Sequence, residues 1–146
     1  MDILLIEDDA IHVKLIKRAL EKGGYGDNIT WLGDGEKAIK YLFPDDEGKV
    51  PSLPRLILLD VNLPKINGVE VLRRIKEDRV LRIIPVVMLT TSSNRLDMES
   101  CLRYCANSYI VKPLDFQNFM DKMKQVAQYW LEINHIPYDQ PKGIDP

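Results

Sequence analysis

Short apolar runs in this sequence end in residues that could hold a metal ion or a phosphoryl group. Acids follow the runs at 3–6 and 56–59, and hydroxyl and ammonium groups follow the runs at 84–89 and 108–111. These residues are Glu7, Asp8, Asp60, Thr90, Thr91 and Lys112. Clustered carboxylates repel one another unless a cation compensates them, and Mg²⁺ accepts such oxygen ligands. Thr90 and Lys112 would then contact phosphoryl oxygens, with Asp60 as the nucleophile.

The elements that must position these residues alternate along the chain. Strands are predicted at 3–6, 28–33, 56–59, 84–89 and 108–111, and amphipathic helices follow them, including 36–43, 68–78 and 95–104. Five strands alternating with five helices predict an α/β fold, a doubly wound five-stranded parallel sheet with right-handed crossovers. All strands then end at one edge of the sheet, where the polar residues would meet. A purely structural acid cluster paired with Lys112 would not explain why three acids and a hydroxyl converge.

Length and composition fit one domain without nucleic-acid or membrane features. The chain has 146 residues and a formal net charge of −2, with 29% charged residues of both signs. This balance gives no basic surface for nucleic acid. No apolar run approaches the ~20 residues that cross a bilayer, and the start lacks the basic region of a signal peptide, so we expect a cytoplasmic protein. Cys101 and Cys105 are expected to be reduced thiols.

Other candidate features receive simpler interpretations. Asp9 is predicted to cap the first helix, and His12 to be a solvated helix residue without a catalytic partner. The polar, proline-rich stretch 44–54 is predicted to be a surface loop, and the tail 135–146 to be extended or disordered. Ile29 stands where a dinucleotide motif begun by Gly24 would need its third glycine, and no GxxxxGK occurs, so those nucleotide-binding motifs are excluded.

Four motifs occur in order on the predicted elements: LLIEDD, LLDVNLPKING, VVMLTT and SYIVKP. With them the chain closely resembles the receiver domains of two-component response regulators, from residue 1 to about 134. The resemblance implies the flavodoxin-like (βα)₅ fold and a phosphoryl group accepted on Asp60 from a histidine kinase. It also implies that Glu7 and Asp8 form the metal-binding acid pair, with Asp60 and the backbone carbonyl of Asn62 completing the site for Mg²⁺, for which Mn²⁺ can substitute.

The same resemblance assigns roles to the later motifs. Thr90 looks like the switch hydroxyl, Tyr109 like the aromatic residue that turns inward on activation, and Lys112 like the phosphate-binding ammonium. Thr91 is bulkier than the small residue often found there, which would slow access to the phosphoryl group. The bond from Lys112 to Pro113 is expected to be cis. The protein would not be an enzyme in the ordinary sense, although it would assist its own phosphorylation and dephosphorylation.

Three further segments resemble a narrower group of proteins. The loop at 44–54, the stretch NSYIVKPLDF and the ending YWLEIN look like the single-domain response regulators that serve cyanobacterial phytochrome histidine kinases. The resemblance therefore implies a phytochrome-type kinase as partner. The late apolar residues also predict a homodimer or partner surface formed by Phe119, Tyr129, Trp130 and Ile133. The alternative is that Trp130 packs on its own core.

Two other function classes remain as alternatives. An aspartate-nucleophile phosphatase would need a second acid two residues after the nucleophile to protonate the leaving group, and that place holds Asn62. An interaction module that never accepts phosphate would not need the acid, hydroxyl and lysine set. The sequence therefore favours a single-domain receiver that signals by a conformational switch.

Overall fold

The computed structural model describes residues 2–45 and 52–138. Within them, five parallel strands form one sheet in the order β2-β1-β3-β4-β5. The strands are β1 (Ile3–Ile6), β2 (Ile29–Leu32), β3 (Leu56–Leu59), β4 (Val86–Thr90) and β5 (Ser108–Val111). The helices are α1 (Ala10–Lys22), α2 (Gly35–Leu42), α3 (Gly68–Glu77), α4 (Arg95–Arg103) and α5 (Phe116–Gln128). The predicted doubly wound, flavodoxin-like fold is confirmed.

The central strands bury both of their faces, which explains their unbroken apolar runs. Leu4 and Ile6 point into a core layer beneath α2, α3 and α4, whereas Ile3 and Leu5 point into a second layer beneath α1 and α5. This division follows from the two-residue alternation of side chains along a strand. Each helix turns its apolar stripe toward one of the two layers, so the helices cover the sheet on both faces.

The strand register brings the ends of distant segments together. Ile6 lies beside Leu59 in the pairing of β1 with β3, so the residues that follow β1 and β3 leave the sheet side by side. Thr90 lies beside Val111 in the pairing of β4 with β5, and the backbone amide of Lys112 donates to the carbonyl of Thr90 at 2.7 Å. The carboxyl edge of the sheet therefore collects the acids, the hydroxyl and the lysine, as predicted.

Several predicted boundaries shift by one or two residues. The fourth strand begins at Val86 rather than 84, because residues 81–83 form a 3₁₀ turn and Pro85 has no backbone N–H to donate to the ladder. The strand extends through Thr90. Asp9 caps α1, with its carboxylate accepting from the backbone amides of Ile11 and His12, which confirms that prediction.

The end of α5 differs from a regular helix. Residues 129–133 widen into a π-helical turn, in which the amide of Asn134 donates to the carbonyl of Tyr129 at 2.7 Å. The first residues of the predicted tail are held in place, since the Tyr138 hydroxyl donates to the carbonyl of Pro54 at 2.8 Å. Residues 139–146 of the tail and 46–51 of the predicted loop lie outside the described residues. In the described part of the chain, no helix is long and apolar enough to cross a bilayer.

Candidate functional site

Three carboxylates meet at the carboxyl edge of the sheet. Glu7 and Asp8 follow β1, Asp60 follows β3, and one oxygen from each lies within 4.8 Å of the others. Glu7 and Asp60 are buried, whereas Asp8 is exposed to solvent. The turn after Asp60 needs a glycine, because a Cβ on Gly68 would lie 1.8 Å from the Asp60 carbonyl oxygen. The first turn of α3 is therefore packed directly against the residue at the centre of the site.

The electrostatics of this acid trio favour a bound cation. Burial and, to a smaller extent, the nearby negative charge of Asp60 raise the pKa of Glu7 to about 7, although Lys112 acts in the opposite direction. Crowded carboxylate oxygens with a partly open side, at Asp8, are the donor set that a hard divalent cation accepts. The side chains present therefore fit an Mg²⁺ or Mn²⁺ ion.

Among the residues that the structure describes, Lys112 supplies the one ammonium group against the trio. Its side chain is buried, and Nζ lies 2.5 Å from Glu7 Oε2 and 3.4 Å from Asp60 Oδ2. One ammonium faces three carboxylates, so the cluster keeps an excess of negative charge. This excess is what a metal ion would offset, and it distinguishes the site from a balanced structural ion pair.

The predicted switch residues are connected by hydrogen bonds. Thr90 is fully buried, and its hydroxyl oxygen accepts from the amide of Ser92 at 3.1 Å. The Tyr109 hydroxyl donates to the carbonyl of the same Ser92 at 2.9 Å. Thr91 is exposed and lines a cavity of about 130 Å³ beside Lys112. Ser92 therefore joins the predicted switch hydroxyl to the predicted switch aromatic, a link that sequence reasoning did not identify.

Asn62 contacts Asp60 through its backbone. The Asn62 amide donates to Asp60 Oδ1 at 3.3 Å, so both oxygens of Asp60 have a partner in the described structure. That Asn62 also offers its carbonyl to a metal ion stays a prediction. The loop that follows Asn62 is shaped by Lys65, whose backbone is left-handed with φ 69°, and by the amide of Gly35, which donates to the Pro64 carbonyl at 3.3 Å.

Two predictions made from the sequence are wrong. The bond between Lys112 and Pro113 is trans rather than cis. The trans isomer is the intrinsically favoured one before proline, and Lys112 reaches the acids with it. Phe119 cannot belong to an exposed dimer surface, because its side chain is 2% exposed and lies in the core layer between α1 and α5. Helical spacing places Phe119 on the inward stripe of α5, which explains its burial.

The other residues of the predicted dimer surface divide into two groups. Tyr129 and Ile133 are exposed, at 48% and 59%. Trp130 is half-buried and packs against the core layer beneath α1 and α5, and its ring meets that of Tyr129 edge-on at 4.9 Å. Trp130 therefore packs on its own chain, while its two neighbours remain accessible.

His12 belongs to the site although the sequence indicated a solvated helix residue. Its Nδ1 lies 3.0 Å from Nζ of Lys112, and only about a quarter of its side chain is exposed. The position of His12 in the sequence could have indicated this. Helix α1 starts directly after the acids that follow β1, so side chains of its first turn lie above the same edge of the sheet. That position does not reveal the contact with Lys112, which is one hundred residues away in sequence.

A family model supports this site. The model described as "Response regulator receiver domain" matches residues 3–124. The chain belongs to this family. The receiver domain is 45% identical over 135 residues to FilR2, a probable methanogenesis regulatory protein of Methanothrix harundinacea, covering 92% of this chain and 86% of FilR2. Sequence recognition of a receiver domain is therefore confirmed.

Two relatives connect the receiver domain to phytochrome response regulators. Response regulator Rcp1 of Synechocystis sp. is 35% identical over 92% of both chains, and the crystal structure of its Mn²⁺-bound form gives a TM-score of 0.84 over 92% of this chain and 97% of that one. The phosphorylated cyanobacterial phytochrome response regulator RcpA is 37% identical, with a TM-score of 0.86 over 93% of this chain and 97% of RcpA. The fold and the kinship with Rcp1 and RcpA are thus shown.

Proposed function

We propose that this receiver domain accepts a phosphoryl group on Asp60 from the phosphohistidine of a partner kinase and signals by a conformational switch. The proposal rests on the convergence of three acids, the Thr90 hydroxyl and the Lys112 ammonium around one aspartate. Asp60 attacks phosphorus, the bond from phosphorus to the histidine nitrogen breaks, and the imidazole leaves with a proton from water. Lys112, already 3.4 Å from Asp60 Oδ2, then donates to a phosphoryl oxygen.

The residues that would hold the metal ion are Glu7, Asp8, Asp60 and the backbone carbonyl of Asn62. A bound Mg²⁺ or Mn²⁺ ion supplies positive charge that offsets the acids and the phosphoryl oxygens. Asp60 thereby becomes approachable by an anionic donor. The Mn²⁺ in the Rcp1 structure supports this assignment, because Rcp1 has the same fold and is 35% identical in sequence.

The hydrogen bonds of Ser92 support a specific switch. A phosphoryl oxygen on Asp60 would draw the Thr90 hydroxyl toward it and away from the Ser92 amide. Because the Ser92 carbonyl accepts from Tyr109, movement of this segment changes the position of the Tyr109 ring. The surface formed by α4, β5 and α5 then differs between the unphosphorylated and the phosphorylated protein. A downstream partner would recognise this difference.

The decisive experiment compares Asp60→Asn with wild type. We expect wild type to acquire label from a phosphohistidine kinase or from acetyl phosphate in the presence of Mg²⁺, and Asp60→Asn to acquire none. Asp121→Asn, the same change on the exposed face of α5, is the matched control and should label like wild type. Equal labelling of Asp60→Asn and wild type would contradict the proposal.

We further propose a phytochrome-type histidine kinase as the partner, on the basis of the likeness to RcpA and Rcp1. The higher identity to FilR2 favours a second candidate, the kinase of a methanogenesis pathway. Phosphotransfer from a panel of purified kinases distinguishes them: the cognate kinase should transfer phosphate within seconds, and the others far more slowly. Preference for a kinase without a phytochrome sensor would contradict the phytochrome assignment.

Two other classes are tested by simple measurements. A phosphatase would turn over a generic phosphoester, which Asn62 disfavours because its amide cannot protonate a leaving group. A module that never binds phosphate would show no Mg²⁺-dependent change with beryllofluoride. Trp31 is a suitable reporter, since its indole Nε1 donates to the carbonyl of Glu7 at 2.7 Å, one residue before Asp8. We expect its fluorescence to change with Mg²⁺ and again with beryllofluoride.

Exposed Tyr129 and Ile133 support a homodimer formed through the end of α5. We propose that two copies associate there, with the half-buried Trp130 ring as support. Sedimentation should show a dimer that Ile133→Glu disrupts. A monomer at high concentration, with and without beryllofluoride, would contradict this part of the proposal.

A further inference from the structure

His12 contacts the lysine of the site with a defined hydrogen-bond direction. Nδ1 of its ring lies 3.0 Å from Nζ of Lys112. An ammonium group has three donors and no acceptor, so the imidazole must accept through an unprotonated Nδ1. The ring proton of the neutral imidazole is then on Nε2. The contact therefore favours the tautomer of His12 that carries its ring proton on Nε2.

Three acceptors surround the Lys112 ammonium, and His12 differs from the other two. Glu7 and Asp60 carry negative charge and belong to the acid trio that would hold the metal ion. The imidazole is not a carboxylate and lies outside that trio. If Glu7 and Asp60 held a divalent cation, their attraction for Lys112 would weaken and the cation would repel the ammonium. The hydrogen bond from Lys112 to His12 is not subject to this competition.

The His12 ring is itself held in position. Its backbone amide donates to the capping carboxylate of Asp9 at 3.2 Å, which fixes the first turn of α1. On its other side the ring packs against the buried Phe119 ring, with centroids 6.1 Å apart and planes tilted by 43°. The other Asp9 oxygen lies 3.6 Å from Nδ1, beyond the distance of a hydrogen bond and farther than Lys112. The ring is therefore directed at Lys112 rather than at Asp9.

We propose that His12 is a positioning residue, whose neutral Nδ1 keeps the Lys112 ammonium directed at Asp60 when the carboxylates engage a metal ion. The functional part of this inference rests on the proposed phosphoryl acceptance by Asp60. The contact itself does not, so it can be tested separately. Two variants test whether the acceptor atom matters. His12→Leu removes the acceptor, and His12→Asn retains an oxygen at the place of Nδ1.

The first test uses metal-free, unphosphorylated protein. The nitrogen chemical shifts of the His12 ring, measured by NMR at pH 8, should identify the Nε2–H tautomer. Replacing the donor with Lys112→Met should then shift the Nδ1 signal toward that of a free, unbonded nitrogen. An Nδ1–H tautomer in wild type, or no change with Lys112→Met, would overturn the proposal whatever the protein's activity.

The second test measures beryllofluoride binding with Mg²⁺, followed by Trp31 fluorescence. His12→Leu should weaken binding about tenfold, as expected for the loss of one hydrogen bond to a charged group. His12→Asn should restore most of the affinity. The control is His135→Leu, the same change at an exposed position beyond α5, which should bind like wild type.

The outcomes separate this inference from the proposed function. Failure of wild type to bind beryllofluoride would contradict phosphoryl acceptance, while the tautomer result still decides the contact. If wild type and His12→Leu bind equally well, phosphoryl acceptance stands and the positioning role is overturned. Loss of binding in both His12→Leu and His12→Asn, with unchanged unfolding midpoints, would also overturn it, because a retained acceptor would then have no effect.

Discussion

Two lysines at opposite edges of the sheet face very different surroundings. At the carboxyl edge, the Nζ of Lys112 contacts two carboxylates and one imidazole, and a third carboxylate, Asp8, stands nearby. At the amino edge, the oxygens of the described residues that accept from the Nζ of Lys76 are neutral. These are the carbonyls of Arg82 and Ile84, at 3.1 and 2.8 Å, and Oδ1 of Asn107, at 3.0 Å.

The difference in partners separates a site from a structural connection. Lys76 joins α3 to the segments that precede β4 and β5, and Asn107 continues the connection by accepting from the amide of Val86. Neutral partners bring no excess negative charge, so nothing at this edge attracts a metal ion. At Lys112 the acids outnumber the ammonium, and that imbalance favours a divalent cation or a change of protonation. A buried lysine therefore indicates function through the charge of its partners rather than through burial.

The largest expected effect on stability comes from substituting a glycine at the carboxyl edge, compared with a glycine at the amino edge. Gly68→Ala should cost about 4 kcal/mol of unfolding free energy or prevent folding, because its Cβ would lie 1.8 Å from the Asp60 carbonyl oxygen and the backbone must move. Gly24→Ala, near the amino edge, should cost only about 1 kcal/mol, since φ is +87° but the space is open. Urea denaturation measures both. Similar costs would show that the turn after Asp60 is not tightly packed.

Removing each lysine tests the comparison directly. Lys112→Met and Lys76→Met should each cost about 2 kcal/mol, because acceptors lose their donor. Mg²⁺ should relieve the loss for Lys112→Met, since a cation replaces the missing charge beside Glu7 and Asp60. It should not relieve the loss for Lys76→Met, whose partners are neutral. Thermal unfolding with and without Mg²⁺ measures this recovery of stability. Equal recovery in both variants would contradict the distinction between the two edges.

The pH dependence of stability should have opposite signs at the two edges. Burial raises the pKa of Glu7 from 4.5 to about 7, so between these values the folded state binds a proton that the unfolded state has released. Metal-free protein should therefore lose stability as pH rises from about 5 to about 7. Burial lowers the pKa of Lys76 to about 8, so stability should increase above pH 8 as the unfolded state alone stays protonated.

Two variants assign these slopes to their groups. Glu7→Gln should flatten the decrease between pH 5 and 7, and Lys76→Met should flatten the increase above pH 8. Urea midpoints measured across this range provide the test. A decrease that persists in Glu7→Gln would assign it to another group of the trio.

The sequence was sufficient for features that depend on local patterns. Four-residue apolar runs specify buried strands, and the position of Asp60 after one of them places its carboxylate at the carboxyl edge. Contacts between distant segments were not accessible in this way. Nothing in the letters around His12 indicates Lys112, and nothing around Ser92 indicates Tyr109. Such contacts depend on the register of several strands and on the packing angle of helices at once.

The trans bond before Pro113 and the burial of Phe119 show a different limit. The family resemblance supplied the cis expectation, and no local residue pattern determined it. For Phe119 the helical stripe already indicated burial, and the prediction of an exposed dimer surface extended that surface too far along α5. Local periodicity was the better guide where it disagreed with an expected interface.

The smallest expected effect concerns the π-helical turn at the amino edge. The Tyr25 hydroxyl donates to Glu132 Oε1 at 2.5 Å, and the guanidinium of Arg55 donates to the Leu131 carbonyl at 2.6 Å. These contacts hold the turn to the segments that precede β2 and β3. Tyr25→Phe should cost about 1 kcal/mol or less, because the contact is exposed and water can replace it.

The same variant shows whether the amino edge communicates with the site. Lys76 and Tyr25 make fixed contacts remote from Asp60, so Tyr25→Phe should leave Mg²⁺ and beryllofluoride affinities unchanged within twofold. Tyr41→Phe, which removes a hydroxyl from a half-buried tyrosine on α2, serves as the control for loss of a phenol group. A shift in beryllofluoride affinity specific to Tyr25→Phe would mean that the end of α5 responds to phosphorylation, and the two edges would then act as one coupled unit rather than as a site and its support.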